Sequence, residues 1–169
     1  WAGSSCPSDP RAALSFVNFR AGLAGLSPAY FGMVMATGIV SIAAHLLGFA
    51  WLARSLYALN CAFYVALWIL YLLRLWWHPR AFFQDLFDHL RGPGYFTSIA
   101  ASGVLGSQTI VLYGWLSAAF ALWCVAIALW LVLTYAIFTI LTVKESKPSL
   151  DRGINGGWLL AVVATQSIA

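Results

Sequence analysis

The chain has 169 residues, of which 62% are hydrophobic and only 8% are charged, and its formal net charge is +4. A soluble domain carries about 25% charged residues, so this composition cannot cover a water-facing surface and excludes a soluble globular protein. The apolar residues form blocks of about 20, the length with which an α-helix crosses a hydrocarbon core of about 30 Å. We therefore predict an all-α transmembrane protein that is surrounded by membrane lipid and has no nucleic-acid partner.

The chain divides into a short tail and a membrane domain. Residues 1–26 contain no long apolar run and no signal-peptide pattern, so we expect a cytoplasmic N-terminal tail, followed by a membrane domain at 27–169. The predicted spans are 29–49, 52–76, 95–114 and 116–142, with a fifth that begins at 157. Because the connections after the first and third spans are short, these spans form antiparallel hairpins with the second and fourth. The fifth apolar run is still open at Ala169, so we expect it to be a truncated span.

Basic residues indicate how the spans are oriented. Short cytoplasmic loops carry the excess of Lys and Arg, and all nine basic residues except Arg54 fall on one side of the predicted membrane. This predicts a bacterial inner-membrane protein with a cytoplasmic N-terminus. Arg54 and Arg74 bracket the second span at a separation of about 30 Å, so we expect each to reach its own interface, with a substrate-clamp role as the alternative.

The spans alternate in composition. The first and third contain glycine and no tryptophan, whereas the second and fourth contain tryptophan and no glycine. Small residues let helices approach closely, and large aromatic residues suit lipid contact. We therefore predict that the odd-numbered spans are inner and the even-numbered spans outer. A repeat supports this, since Pro28-Ala-Tyr30-Phe31 matches Pro93-Gly-Tyr95-Phe96.

Small and polar residues of the inner spans are candidates for a transport pathway. No acidic residue lies in a predicted span, so the spans provide no obvious proton or cation site and favour a route for anions. Hydroxyl groups and bare glycines at helical spacing can line a pore without a fixed charge that traps the ion. The candidates are Thr37, Ser41, Ser98, Ser102, Gly106, Thr109, Thr165 and Gln166. The alternative for each of these residues is helix packing, and for Gln166, as for Gln108, it is an interhelical hydrogen bond.

The sequence predicts no cofactor, no metal site and no enzymatic activity. The three cysteines form no CxxC pair, and we interpret the charged residues between His78 and Arg91 as a solvated loop. An intramembrane serine protease built on Ser107 needs a histidine on a facing helix. His45 is the only histidine in the spans and lies near the end of the first, which is badly placed for this role.

Two apolar motifs resemble one family of membrane transporters. The first is Phe31-Gly-Met-Val-Met-Ala-Thr-Gly-Ile-Val-Ser-Ile-Ala43, and the second is Gly156-Gly-Trp-Leu-Leu-Ala-Val-Val-Ala-Thr-Gln-Ser-Ile-Ala169. Both are similar to the tellurite-resistance and C4-dicarboxylate transporter family, which includes yeast malic-acid permeases and the slow anion channels of plant guard cells. The resemblance extends from Pro28 to Ala169.

This resemblance implies a larger architecture and a function. Family members are built from ten helices, as five hairpins in a quasi-fivefold bundle whose odd-numbered helices line a pore, and they assemble as homotrimers. The chain would then be the N-terminal half, and the phenylalanine that gates the family's pore would lie on a later helix. The implied function is the movement of small inorganic anions or dicarboxylates such as malate, by a channel or a carrier mechanism.

We predict from the distribution of basic residues that Ser149 faces the cytoplasm. In a background without Cys6, Cys61 and Cys124, Ser149→Cys should not react with a membrane-impermeant maleimide added to intact cells. Ala50→Cys, in the connection between the first two spans, should react under the same conditions. Permeabilised cells should label both variants, and equal labelling in intact cells would contradict the orientation.

Overall fold

The computed structural model describes residues 22–23, 25–86, 88, 91–143 and 156–169. These residues form six α-helices and no strands. The helices are α1 (Phe31–Leu46), α2 (Ala50–Trp77), α3 (Pro79–Leu86), α4 (Phe96–Tyr113), α5 (Leu116–Val143) and α6 (Leu159–Gln166). Four segments are long and apolar enough to cross a membrane and correspond to the first four predicted spans: Pro28–Leu46 with α1, Ala50–Trp77 with α2, Gly92–Tyr113 with α4 and Leu116–Thr139 with α5. The predicted all-α transmembrane fold class is confirmed.

Two predicted segments fall largely outside the described residues. They are the cytoplasmic tail and the basic loop before the fifth span, which holds Lys144, Lys147 and Arg152. The orientation and the division at residue 27 therefore stay predictions.

Each inner span begins with a 3-10 turn. The turns are Pro28–Tyr30 before α1, Gly92–Tyr95 before α4 and Gly156–Trp158 before α6. Proline stands near the start of the first two turns, where its fixed φ suits a helical turn and its missing N–H is not needed. The second turn packs against both the first and the third. The sequence repeat is thus a repeat of local structure, and the beginnings of three spans meet at one end of the bundle.

The three inner spans pack in a row. Helix α1 contacts α4, and α4 contacts α6, while α2 packs mainly on α1 and α5 mainly on α4. The third span is the most buried, with 67% of its apolar window inside the protein, against 28% for the first, 17% for the second and 11% for the fourth. Burial therefore follows the inner and outer arrangement expected from the segregation of glycine and tryptophan.

Arg74, which was expected to reach its membrane interface, is held by partners within the protein that the sequence did not predict. Its side chain is buried, with Nη2 2.5 Å from Asp85 Oδ2 and Nη1 donating to the Leu26 carbonyl at 2.8 Å. Asp85 also pairs with Arg91 at 3.1 Å. Within the segment interpreted as a solvated loop, Pro79–Leu86 form helix α3, which places the Asp85 carboxylate against the end of α2. A buried guanidinium is tolerated only when such a partner and additional hydrogen bonds satisfy it.

We predict that Gly38 cannot be enlarged without loss of stability. A Cβ atom at this position would lie 2.6 Å from Val104 Cγ1 and 3.1 Å from Asn60 Nδ2, whereas a Cβ at Gly32 would meet nothing within 4 Å. Overpacking of this kind costs about 1–3 kcal/mol, more than the gain in helix propensity of about 1 kcal/mol for replacing glycine. Gly38→Ala should therefore lower the melting temperature in detergent.

Gly32→Ala is the matched control on the same helix. It should leave the melting temperature unchanged or raise it slightly. Equal effects of the two substitutions would contradict the close packing of α1, α2 and α4 at Gly38.

Candidate functional site

A line of polar side chains joins the outer helix α2 to the inner helix α4. Three residues of α2 each hydrogen-bond one residue of α4, and we call these six residues the polar seam. The pairs are Tyr57 Oη with Thr109 Oγ1 at 3.1 Å, Asn60 Nδ2 with Gln108 Oε1 at 2.8 Å, and Tyr64 Oη with Ser102 Oγ at 2.8 Å. The spacing along α2 places all three side chains on one helical face.

Hydroxyl groups of α4 already donate to their own helix. Ser102 Oγ donates to the Ser98 carbonyl at 2.8 Å, and Thr109 Oγ1 donates to the Leu105 carbonyl at 2.7 Å. A hydroxyl has one hydrogen, so the tyrosines must be the donors in the other two bonds of the seam. The hydroxyl groups of Ser102 and Thr109 are therefore fixed by protein groups on both sides.

The same arrangement recurs between the fourth and fifth spans. Trp130 Nε1 of α5 donates to Thr165 Oγ1 at 3.1 Å, and Thr165 Oγ1 donates to the Ala161 carbonyl at 2.9 Å. In both places an aromatic side chain on an outer helix donates to a hydroxyl on an inner helix. That hydroxyl donates its own hydrogen to the backbone carbonyl one turn earlier. Each outer helix is thereby joined to a second inner helix besides the one on which it mainly packs, α2 to α4 and α5 to α6.

Asn60 and Gln108 meet where three helices cross. Both side chains are fully buried, and the bare Cα of Gly38 leaves the space that their amides occupy. One hydrogen bond joins the two side chains, while Asn60 Oδ1 and Gln108 Nε2 have no partner among the described residues. Because unpaired polar groups are costly in an apolar medium, the single bond between them is the main constraint on this junction.

The structure separates the eight predicted pathway residues into two sets. Four are buried and hydrogen-bonded within the helix bundle: Ser41, Ser98, Ser102 and Thr109. In addition to the bonds above, Ser41 Oγ donates to the Ala53 carbonyl and Ser98 Oγ to the Tyr95 carbonyl, both at 2.8 Å. Their contacts fit the packing alternative given by the sequence.

The other four residues have different surroundings. Thr37 is half-buried on α1, while Thr165 and Gln166 are exposed at the end of α6. Gly106 lines a cleft of about 320 Å³ between α4, α5 and the α6 end, together with Ser102 and Ser167. These four do not form one cluster among the described residues.

Sequence reasoning missed the outer half of the seam. Tyr57, Asn60 and Tyr64 lie on an apolar, tryptophan-containing span, whereas candidate residues were sought only on the inner spans. Their spacing of three and four residues was a signal, because polar residues at helical spacing within an outer span need partners on an inner one.

The described residues contain no group of His, Cys, Asp and Glu side chains that could hold a metal ion. At the α3 end, the Asp85 carboxylate is instead paired with Arg74 and Arg91.

The arrangement defines a polytopic α-helical membrane protein with an inner row of glycine-containing spans and an outer layer of aromatic ones. Residues 25–169 match the family model described as voltage-dependent anion channel, SLAC1. The chain belongs to this family of anion channels and transporters, which confirms the resemblance found in the sequence. No curated protein and no solved structure shows significant similarity to the chain.

We predict that Asn60 and Gln108 are energetically coupled. Asn60→Leu and Gln108→Leu should each destabilise the protein, because each leaves the remaining amide buried without its partner. The double variant should lose less than the sum of the two single losses. The coupling free energy should lie between about 0.6 kcal/mol, the average for hydrogen bonds between membrane helices, and about 1.7 kcal/mol, the largest value found for them.

A double-mutant cycle on unfolding free energies measures this coupling. Leu59→Ala, on an exposed part of α2, is the control and should be additive with Gln108→Leu. Additive losses for the Asn60 and Gln108 pair as well would mean that the hydrogen bond does not hold the junction.

Proposed function

We propose that the protein carries small inorganic anions or C4-dicarboxylates across the membrane along a pathway lined by α1, α4 and α6. The observation that carries this proposal is the row formed by these three helices in a chain that belongs to an anion channel family. Helices α2 and α5 lie outside the row, so they are positioned to hold it in the lipid. Since the family is one of channels and transporters, we propose no enzymatic activity.

The charge distribution supports an anion rather than a cation. Helices α1, α2, α4, α5 and α6 contain no Asp or Glu. Asp85, on α3, is paired with two arginines. A cation that entered the row would meet no compensating charge, whereas neutral donors can replace part of the water shell of an anion.

The hydrogen bonds suggest which residues form the wall of the pathway. We assign Thr37, Gly106 and Gln166 to the wall, because each is partly exposed or lines the large cleft. We assign the other five candidates to holding the inner spans in place, because their hydroxyl hydrogens are already donated to backbone carbonyls: Ser41, Ser98, Ser102, Thr109 and Thr165. A pathway with few free donors binds an anion weakly and lets it leave.

Family resemblance supports the remaining features of the proposal. They are a homotrimer and a ten-helix protomer with its gate on a later span. The distribution of basic residues supports a cytoplasmic N-terminus in the bacterial inner membrane. Exposed apolar side chains on α5, such as Val132 and Phe138, are suited to contact with lipid or with a neighbouring subunit.

We predict anion selectivity for the full-length protein in planar bilayers. With a potassium chloride gradient the reversal potential should lie close to the chloride equilibrium potential, and replacing chloride by malate should show whether dicarboxylates also pass. A reversal potential near that of potassium would contradict the proposed function.

We also predict that a negative charge at Gly106 blocks anion flux. A Cβ there would make only ordinary contacts, at 3.6 Å to the Ala119 carbonyl oxygen and 3.7 Å to Leu122 Cβ, so a side chain can extend into the cleft. Two like charges about 4 Å apart repel by about 4 kcal/mol at an effective dielectric constant of about 20. Gly106→Asp should therefore reduce chloride flux by more than tenfold.

Gly106→Asn is the matched control, because it has the same shape without the charge. It should keep most of the flux and a melting temperature similar to that of Gly106→Asp. Equal flux in the two variants would remove the cleft at Gly106 from the pathway.

A further inference from the structure

Ser107 lies on the face of α4 between its contacts with the other two inner helices. A Cβ on Gly103 would lie 2.6 Å from the Ser167 carbonyl oxygen, next to the end of α6. A Cβ on Gly38 of α1 would lie 2.6 Å from Val104 Cγ1. Because residues three and four apart stack on a helix, Ser107 lies one turn above both Gly103 and Val104. Its side chain is exposed there.

The opposite face of α4 carries the bonds to the outer helix α2. Ser102 and Thr109 accept hydrogen bonds from tyrosines of α2 in the polar seam. Each is rotated by about 140–160° from Ser107 around the helix axis. Val111, one turn after Ser107, is 40% exposed. Ser107 and Val111 thus belong to the side of the central inner helix that is turned away from α2.

Ser107 also differs from the other hydroxyl residues of α4 in the use of its hydrogen. Four of them are buried, and each donates to a backbone carbonyl three or four residues earlier: Thr97, Ser98, Ser102 and Thr109. Ser107 is exposed, and no residue in the described part of the chain accepts its hydrogen. A hydroxyl that is not bonded to its own backbone can donate to a group outside the helix.

The surroundings of Ser107 favour an anion as the acceptor. Ser107 and Gly106 line the cleft of about 320 Å³, whose described lining contains hydroxyl and apolar side chains but no charged one. No carboxylate in this lining therefore competes for the hydrogen. A neutral donor in such a lining can replace one water molecule of an anion without holding the anion permanently.

We propose that Ser107 donates a hydrogen bond to the anion in transit and thereby determines which anions pass most readily. The inference rests on the proposed function and names a residue of that pathway that contacts the solute. Chloride holds its water shell more tightly than nitrate, so it gains more from a donor that replaces a lost water molecule. Ser107 thus favours chloride relative to nitrate.

The test compares chloride and nitrate fluxes of the full-length protein in liposomes. Ser107→Ala removes the donor and should lower the chloride flux several-fold while changing the nitrate flux less, so the ratio of nitrate to chloride flux rises. Ser107→Thr keeps a hydroxyl and should restore a ratio close to that of the parent protein. A merely structural role would lower both fluxes equally and leave the ratio unchanged.

Ser55→Ala is the matched control on the outer helix α2. Ser55 is exposed, and its hydroxyl donates to the Trp51 carbonyl at 3.0 Å. Because Ser55 lies outside the inner row, this substitution should leave both fluxes unchanged. The melting temperature of each variant in detergent identifies any loss of fold.

A second measurement tests the position of Ser107 independently of any flux. In a background without Cys6, Cys61 and Cys124, Ser107→Cys should react in the reconstituted full-length protein with an anionic, membrane-impermeant methanethiosulfonate. Leu59→Cys, on an exposed part of the outer helix α2, should react many-fold more slowly because lipid covers it. Mass spectrometry measures both reactions.

The outcomes separate this inference from the proposed function. A parent protein that carries anions, together with an unchanged flux ratio in folded Ser107→Ala, would overturn the role of Ser107 and leave the function in place. Failure of Ser107→Cys to react faster than Leu59→Cys would overturn it as well. A parent protein that carries neither chloride nor nitrate would overturn both the inference and the function on which it rests.

Discussion

Polar groups within the hydrocarbon layer must find their partners inside the protein, because lipid offers none. In this chain the constraint is met mainly by the polar seam, where Tyr57, Asn60 and Tyr64 of α2 bind residues of α4. The seam fixes how α2 and α4 are rotated against each other. It therefore also determines which faces of α4 contact α1, α5 and α6. The Trp130–Thr165 bond does the same for the fourth and fifth spans.

The seam works together with glycines at the contacts of the inner row. A Cβ on Gly38 would meet the seam itself, and a Cβ on Gly103 would lie 2.6 Å from the Ser167 carbonyl oxygen. At the other end of the row, a Cβ on Gly94 would lie 3.3 Å from Pro28 Cβ. The row from α1 to α4 to α6 is therefore possible only because side chains are absent where these helices approach. Aromatic side chains are accommodated on the outer helices instead.

Hydropathy and the segregation of glycine from tryptophan were sufficient to predict the spans and their burial, because both properties are local to each helix. Helix α3 and the Arg74–Asp85 pair were not predictable in this way, since they depend on the bend at His78 that folds the chain back on itself. The outer half of the seam was missed because polar residues were sought only on inner spans. The role of each predicted hydroxyl also stayed open, because it depends on where its single hydrogen is donated.

The acceptor to which each hydroxyl donates its single hydrogen limits how a hydroxyl-rich helix can act on an anion. A serine or threonine that donates to the carbonyl one turn earlier presents only its oxygen to other groups, and an oxygen lone pair does not stabilise a negative ion. In α4 and α6 the outer aromatic donors occupy some of these oxygens. On the proposed pathway these oxygens would be withdrawn from a passing anion, and amides such as that of Gln166 would be among the donors. For a pathway that must release its ion quickly, weak interaction is an advantage.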